Sequence, residues 1–364
     1  MRKTNKTIVM LVLAMMVSVL AACGGNGNNV QSSAPVATTS GDASGSPASE
    51  APAVETAKVR VQLKWVPQAQ FAGVFVAQAK GFFEEEGIEA EIIPGGPDII
   101  IEQQVVNGTA ELGITALDSL LVNQDNGLPL VSVAQVLQKS SNRLVAKKSA
   151  GIDSVEKMKG KKIGSWMGSQ QFQVLAFLEK NGLNPKSDIQ LVKQGFTMDQ
   201  FFNDQLDVAS ASIYNEYHVI LENGYAESEL DVYSIEDAGV AMLEDVLIAK
   251  KDWVESNHDV AVRAVKAILK GWRYAIENQA EAIDIVMGEI ADGSSTREHQ
   301  ETMLKEISQL ILPEGSTPDM LGMIDEEKYQ ITADIAEKYG LVKNKIDLAK
   351  VYDKSVAEEA ANGL

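Results

Sequence analysis

Cysteine is almost missing: Cys23 is the only one in the 364-residue chain. A lone thiol excludes a disulfide framework and any CxxC metal site. The folded part must therefore stand on its hydrophobic core, and about 300 residues suffice for one. Histidine is scarce too. His218, His258 and His299 stand singly on stretches with helical patterning, which predicts surface positions rather than a metal centre. Basic side chains are outnumbered, 32 Lys and Arg against 51 Asp and Glu. Such a chain lacks the basic face that nucleic acid requires. No GxSxG, no Ser-His-Asp motif, no P-loop and no GxGxxG follows any predicted strand, so the common hydrolase and nucleotide-binding signatures are absent. No enzyme activity, metal or cofactor is expected.

What the chain does have starts with a leader. Arg2, Lys3 and Lys6 precede an apolar run over residues 8–22, too short for a membrane span, and "LAAC" closes on Cys23. Small residues before a single cysteine suit a lipoprotein signal peptidase. Residues 1–22 therefore read as a signal peptide and Cys23 as the lipidated (palmitate-type) first residue of the mature protein. Residues 23–57 are Gly, Ser, Ala, Pro, Asn and Thr with few large apolar groups, the composition of a flexible tether. Without its three basic leader residues the chain carries 29 basic against 51 acidic side chains, a formal charge of −22. That limits adhesion to anionic lipid and leaves attachment to the anchor. The expected place is the extracytoplasmic face of the cell membrane.

From Lys58 onward short strand-like and helix-like segments alternate. Predicted strands cover 59–65, 89–93, 111–115, 130–137, 142–147, 162–166, 188–193, 207–213, 231–235 and 245–250. Helices are predicted at 72–86, 98–107, 116–126, 169–181 and 198–204, then through most of 252–312 and 325–340. Alternation of this kind predicts an α/β fold with parallel sheets and crossover helices. Crossings near 139–151 and 234–239 divide it into two lobes, 58–141 with 238–364 and 142–237, and two crossings permit hinge closure.

Ligands of α/β sheets bind outside the carboxyl ends of the strands. Those ends carry Trp65, Gln68, Gln70 and Phe71 in "WVPQAQFAG", then Gly95 and Gly96, then Thr115. In the second block they carry Trp166, Tyr214, Asn215, Glu216 and Asp237. Trp65, Phe71 and Trp166 or Tyr214 offer flat apolar walls, and Gln68, Gln70 and Asn215 both donate and accept hydrogen bonds. Adjacent glycines let backbone approach closely. The inventory suits a neutral or weakly polar aromatic ligand. Arg143, at the first crossing, is the one nearby arginine. Each residue also has a plainer reading: ring packing for the tryptophans, a solvated loop for the glutamines, a turn for the glycine pair. Trp253 and Trp272 are expected to be packing residues.

The stretch "KWVPQAQFAGVFVAQAKGFFEEEGIEAEIIPGGPD" resembles the opening of the family of pyrimidine- and riboflavin-binding lipoproteins of bacterial ABC importers, related to yeast thiamine-pyrimidine synthase. "YNEY" and "EDAGVAMLEDVLIAKKDW" are similar to its later segments. The resemblance implies a two-lobed periplasmic-binding-protein type II fold, a small-molecule ligand, and delivery by a monomer to a permease and its ATPase. It implies ligand contacts at Trp65, the Gln68–Phe71 loop, Gly95, Gly96, Thr115, Trp166 and the Tyr214–Glu216 segment, with Asp237 as an addition. Pyrimidine-type relatives carry a histidine where this chain has Phe71, and the family's cysteine-rich iron stretch is absent. Those two departures favour riboflavin or a related flavin and speak against synthase activity. A thiamine-precursor pyrimidine of the formylaminopyrimidine type, or an alkanesulfonate or taurine, remains the alternative ligand.

Overall fold

A computed structural model of the protein describes residues 55–96, 98–167 and 170–364. The signal segment, Cys23 and nearly all of the expected tether lie outside the described residues, as do Pro97, Gly168 and Ser169.

All ten predicted strands form. They are β1 (Ala57–Gln62), β2 (Ile88–Ile93), β3 (Leu112–Thr115), β4 (Leu130–Gln135), β5 (Asn142–Lys147), β6 (Lys162–Ser165), β7 (Gln190–Lys193), β8 (Val208–Ser212), β9 (Leu230–Ser234) and β10 (Val246–Lys250). They make two five-stranded sheets with the orders β2-β1-β3-β10-β4 and β7-β6-β8-β5-β9. Helices flank both, so the chain is α/β with two sheets.

The sheets are mixed, not purely parallel as the alternation predicts. β1 pairs in parallel with β2 and β3, but β10 runs against both β3 and β4. Likewise β6 is parallel to β7 and β8, while β5 runs against β8 and β9. The reason lies in the crossings. A parallel neighbour needs a connection long enough to carry the chain back to the other end of the sheet. Only residues 136–141 separate β4 from β5, and only 235–245 separate β9 from β10, with no helix in either. Each crossing strand therefore enters its new sheet at the end where the parallel strands leave. That end is where the loops after β1, β3, β6, β7 and β8 collect.

The opening loop rests on a close helix pair. The helix Ala72–Ala79 packs along the long helix His258–Glu277, whose Ala261, Ala264, Val265, Ile268, Trp272 and Ala275 share one buried face. A methyl at Gly271 would lie 1.9 Å from the Gly73 carbonyl oxygen, and one at Gly73 would strike the Trp272 ring at 2.3 Å. Trp272 is buried, as expected of a packing residue.

Two expectations shift. The predicted helix 72–86 breaks at Lys80–Gly81, where Gly81 takes φ 74°. The sequence reading also gives no element after residue 340, yet a helix forms at Lys354–Ala361 with Asp353 capping it. The segment before it covers the edge of β4: Ser132 donates its N–H to Val351 and accepts one from Asp353. An edge strand of six buried residues is thus shielded from further pairing.

Candidate functional site

The loop after β1 holds its predicted residues, but turns most of them inward. Phe71 is 1 % exposed and sits in the main core cluster. Its faces are covered by protein, so it does not wall a ligand space; this corrects the expectation from its place in the loop. Its neighbour helix begins at Ala72, and the short helical turn Ala69–Phe71 aims the ring at the sheet. The two amides are likewise engaged with the protein. Gln68 donates to Gln70 Oε1 at 2.7 Å, and Gln70 donates to both carboxylate oxygens of Asp245 at 3.0 and 3.1 Å.

Asp245 also holds Lys64, with Nζ–Oδ1 2.5 Å. Burial opposes the charge on Lys64, but Asp245, Glu244 and Asp118 outweigh it and raise the ammonium pKa. Asp245 adopts φ 52°, a left-handed conformation that costs a non-glycine residue about 1–2 kcal/mol. Three hydrogen bonds and ion-pair contacts on its carboxylate hold it there.

Trp65 alone of this loop's predicted residues is partly exposed. Gly95 braces it, donating its N–H to the Trp65 carbonyl at 2.9 Å. No side chain would fit at Gly95, since a Cβ would lie 2.1 Å from the Leu63 carbonyl oxygen and 2.5 Å from the Trp65 nitrogen. Gly96 meets no such crowding and accepts from Ile99 N–H. Thr115 is buried and donates to Glu102 at 2.5 Å, which ties β3 to the helix Ile101–Val106.

The second sheet supplies the facing groups. Trp166 is partly exposed and donates its indole N–H to the Gly195 carbonyl at 3.2 Å. Tyr214 is buried, and burial together with Glu244, Asp245 and Glu216 pushes its phenol well above the usual range. Glu216 accepts from the Ser212 N–H at 3.0 Å and from Asn215, while burial raises its carboxyl pKa. Asp237 is exposed and receives no such enclosure, so it stands apart from this cluster.

Three residues that the sequence reading passed over complete the site. Glu244 is 2 % exposed and accepts from Ser141 at 2.6 Å, Asn142 at 2.9 Å and Gln170 at 3.2 Å. It therefore joins both crossings to the loop after β6. Gln170 keeps its own carbonyl oxygen buried without a partner. Phe196, between β7 and the helix Asp199–Phe202, stacks on Trp65 with ring centroids 5.3 Å apart and planes inclined by 19°. Glu244 falls within "EDAGVAMLEDVLIAKKDW", a stretch that carries the family resemblance, and its place in the second crossing is a further signal. "QGFT" around Phe196 carries no motif, and its position after a strand is the one signal that could have found it.

His299 is also misplaced by the sequence reading. It is buried, with Nδ1 2.8 Å from Glu222 Oε1 and Nε2 3.0 Å from Asn215 Oδ1. Among the described residues no cluster of His, Cys, Asp and Glu could hold a metal ion, and no helix is long and apolar enough to cross a membrane.

Electrostatically the enclosed groups are one-sided. Glu216, Glu244 and Asp245 all act on the buried Tyr214 phenol, and the largely buried Lys64 is paired with Asp245. Arg143 donates from Nη1 to the Ser140 and Asn142 carbonyls at 3.2 and 2.9 Å, and burial lowers its pKa.

A family model described as NMT1/THI5 like matches residues 68–282. The chain belongs to the NMT1/THI5-like family. Within it, the chain is 27% identical over 244 residues to the formylaminopyrimidine-binding protein of Halalkalibacterium halodurans, covering 66% of this chain and 72% of that one. It is 25% identical over 304 residues to the riboflavin-binding protein RibY of Chloroflexus aurantiacus, covering 81% and 84%. A 4-amino-5-hydroxymethyl-2-methylpyrimidine phosphate synthase of Saccharomyces cerevisiae, THI11, is 26% identical over 241 residues, covering 63% and 70%. The fold is that of periplasmic binding proteins. The aliphatic sulphonate-binding protein SsuA of Escherichia coli superposes with a TM-score of 0.65 at 16% identity, covering 82% of this chain and 92% of that one. The alkanesulfonate-binding SsuA of Xanthomonas axonopodis, bound to MOPS, gives 0.64 at 15%, covering 82% and 99%.

Proposed function

We propose that the chain is the solute-binding component of an ABC importer, and that it captures riboflavin or a related flavin between its two sheets. Residues 58–141 with 238–364, and 142–237, then act as two lobes hinged at 136–141 and 235–245. The mature protein is anchored at the extracytoplasmic face through lipid on Cys23 and hands its ligand, as a monomer, to a permease driven by its ATPase.

The observation that carries the ligand class is the charge of the enclosed groups. A sulfonate would meet Glu216, Glu244 and Asp245, with Lys64 already paired to Asp245 at 2.5 Å. Burying an anion among carboxylates costs several kcal/mol. A neutral flat heterocycle finds the Trp65 ring for stacking and carboxylate and amide oxygens for its N–H edge. A thiamine-precursor pyrimidine meets the same demands, and the likeness to the formylaminopyrimidine-binding protein favours it as the second reading. Synthase chemistry is not part of the proposal, because Phe71 is buried in the core at the position where the resemblance implies a histidine for that branch.

Titration of the domain from about residue 55 with riboflavin tests this. Quenching of flavin and tryptophan fluorescence at micromolar or lower concentration is the expected result. Stabilisation by formylaminopyrimidine without flavin quenching would transfer the function to the second reading. Stabilisation by taurine or an alkanesulfonate would sink both. The anchor is tested separately, by mass spectrometry of the membrane-bound protein: a mature N-terminus other than lipid-modified Cys23 removes it.

A further inference from the structure

Phe196 is the most exposed large apolar side chain among the described residues, at 63 %. Leaving a phenyl ring in water is unfavourable, and a loop with a polar residue in its place would avoid it. The loop around it is not loose. Gly195 donates its N–H to Gln200 Oε1 at 2.7 Å, Gly195 accepts from the Trp166 indole at 3.2 Å, and Gln194 donates to the Ser210 carbonyl at 2.7 Å. Thr197 bonds Asp199 at 2.7 Å on the other side. The backbone is thus fixed on both sides of the ring, and the ring projects from it onto Trp65 of the opposite sheet. With near-parallel planes and centroids 5.3 Å apart, the two rings overlap as an offset stack.

We propose that Phe196 is the second plate of an aromatic clamp: it covers Trp65 in the empty protein and admits a planar ring between the two faces, so that this residue selects flat ligands. The inference rests on the planar-heterocycle reading above and adds the residue that enforces it. A ring held between two plates needs them about 7 Å apart, two carbon contact distances of about 3.5 Å. The two rings belong to different sheets, which the chain links through two short crossings, so the gap widens when the sheets part and the bridging contacts of Glu244 with Gln170 and of His299 with Asn215 stretch with it. Flatness is read by the spacing, while the edge atoms are read elsewhere, at Glu244 and Gln170. Phe196 therefore contributes to the affinity of any flat ring and is indifferent to its substituents. Trp65 stays covered when no ligand is bound, which keeps a large apolar surface out of water.

The test uses F196A and F196Y in the otherwise unchanged protein, with Trp65→Phe as the reference that identifies the Trp65 signal. In the absence of ligand, acrylamide quenches Trp65 more strongly in F196A than in the parent, and F196Y restores protection. With ligand, F196A weakens riboflavin and lumichrome (the flat ring without the ribityl chain) by the same factor, tenfold or more, and F196Y stays within about threefold of the parent. An exposed side chain leaves the melting temperature of F196A close to that of the parent, which separates loss of binding from loss of fold. Unchanged quenching in the empty F196A protein overturns the clamp. So does riboflavin binding to F196A as tightly as to the parent; in that case the flavin reading stands and only the clamp falls. If the parent itself binds neither riboflavin nor the pyrimidine, the ligand reading fails and takes the clamp with it.

Discussion

The two sides of the enclosed site are built on opposite plans. On the first sheet, the loop after β1 satisfies its own polar groups: Gln68 bonds Gln70, Gln70 bonds Asp245, Asp245 holds Lys64, and Phe71 fills the core. Of the loop's aromatic rings Trp65 stays partly exposed, stacked on Phe196, and at the end of β4 on the same sheet Gln135 keeps its side-chain carbonyl oxygen unpartnered. On the second sheet, the strand ends keep groups unspent, with Phe196 in solvent and the Gln170 carbonyl oxygen unpartnered. The difference separates frame from contact. Buried polar groups that bond one another fix a shape, while groups without partners inside the protein are free to meet a ligand. Residue type alone does not separate the two, since both sides carry glutamines and aromatic rings.

The sharpest way to break this comparison is to remove the centre of the frame. Asp245→Ala leaves Lys64 buried without its counter-charge, a change that costs about 3–5 kcal/mol. Urea denaturation should show a loss of that size, and a loss below about 1 kcal/mol would mean that Lys64 escapes to water and the frame is not a frame. Gln170→Ala is the matched change on the second side. It should leave stability within about 1 kcal/mol of the parent, because it gives up one long hydrogen bond to Glu244, and it should weaken riboflavin binding. Equal stability losses in the two variants would erase the distinction between the sides.

Phe71→His comes next in size. A ring with 1 % exposure in the main cluster is replaced by a smaller polar one, so about 2–4 kcal/mol of stability should go. Thermal melts would show it, with flavin affinity following the folded fraction. A variant that stays as stable as the parent and exchanges flavin for pyrimidine would restore Phe71 as a ligand wall and undo the assignment made from its burial.

Much of this was legible from the chain. Strand positions were, because β1 alternates buried Val59 and Val61 with more open residues and β4 is buried throughout, patterns that survive in sequence. The family was legible in "KWVPQAQFAG" for the same reason that the site loop was: its residues are tied to one turn. Direction within the sheets was not, since antiparallel β5 and β10 have the same composition as parallel strands and differ only in where the chain enters. Inward or outward aim was not either. Gln70 and Phe71 are adjacent in a short helical turn, and which way each points depends on Asp245, which is 175 residues away. Phe196 was missed because nothing local marks it, and Glu244, although it lies in a stretch that resembles the family, takes its role from Ser141, Asn142 and Gln170, which are distant in sequence.

The smallest effect concerns pH, and it falls at the seam between the second sheet and the helix Arg297–Ile311. Burial lowers the His218 pKa from 6.5, partly offset by Glu306 and reinforced by His299, with Glu222 and Glu227 as the further charges facing it. Its Nε2 is buried without a hydrogen bond. A histidine with a depressed pKa contributes stability that is full above the unfolded value and is lost as the pH falls through the folded one, because the unfolded chain takes up the proton first. As the pH falls below 6.5 the protein should therefore lose stability, and His218→Gln should flatten that slope. Glu216 acts with the opposite sign, since burial raises its pKa above 4.5 and its protonation favours the folded state, so the window must close before carboxylates titrate. Denaturation midpoints of both proteins at pH 7.0, 6.0 and 5.5 measure the difference. A slope that persists unchanged in His218→Gln would place the sensitivity on another group.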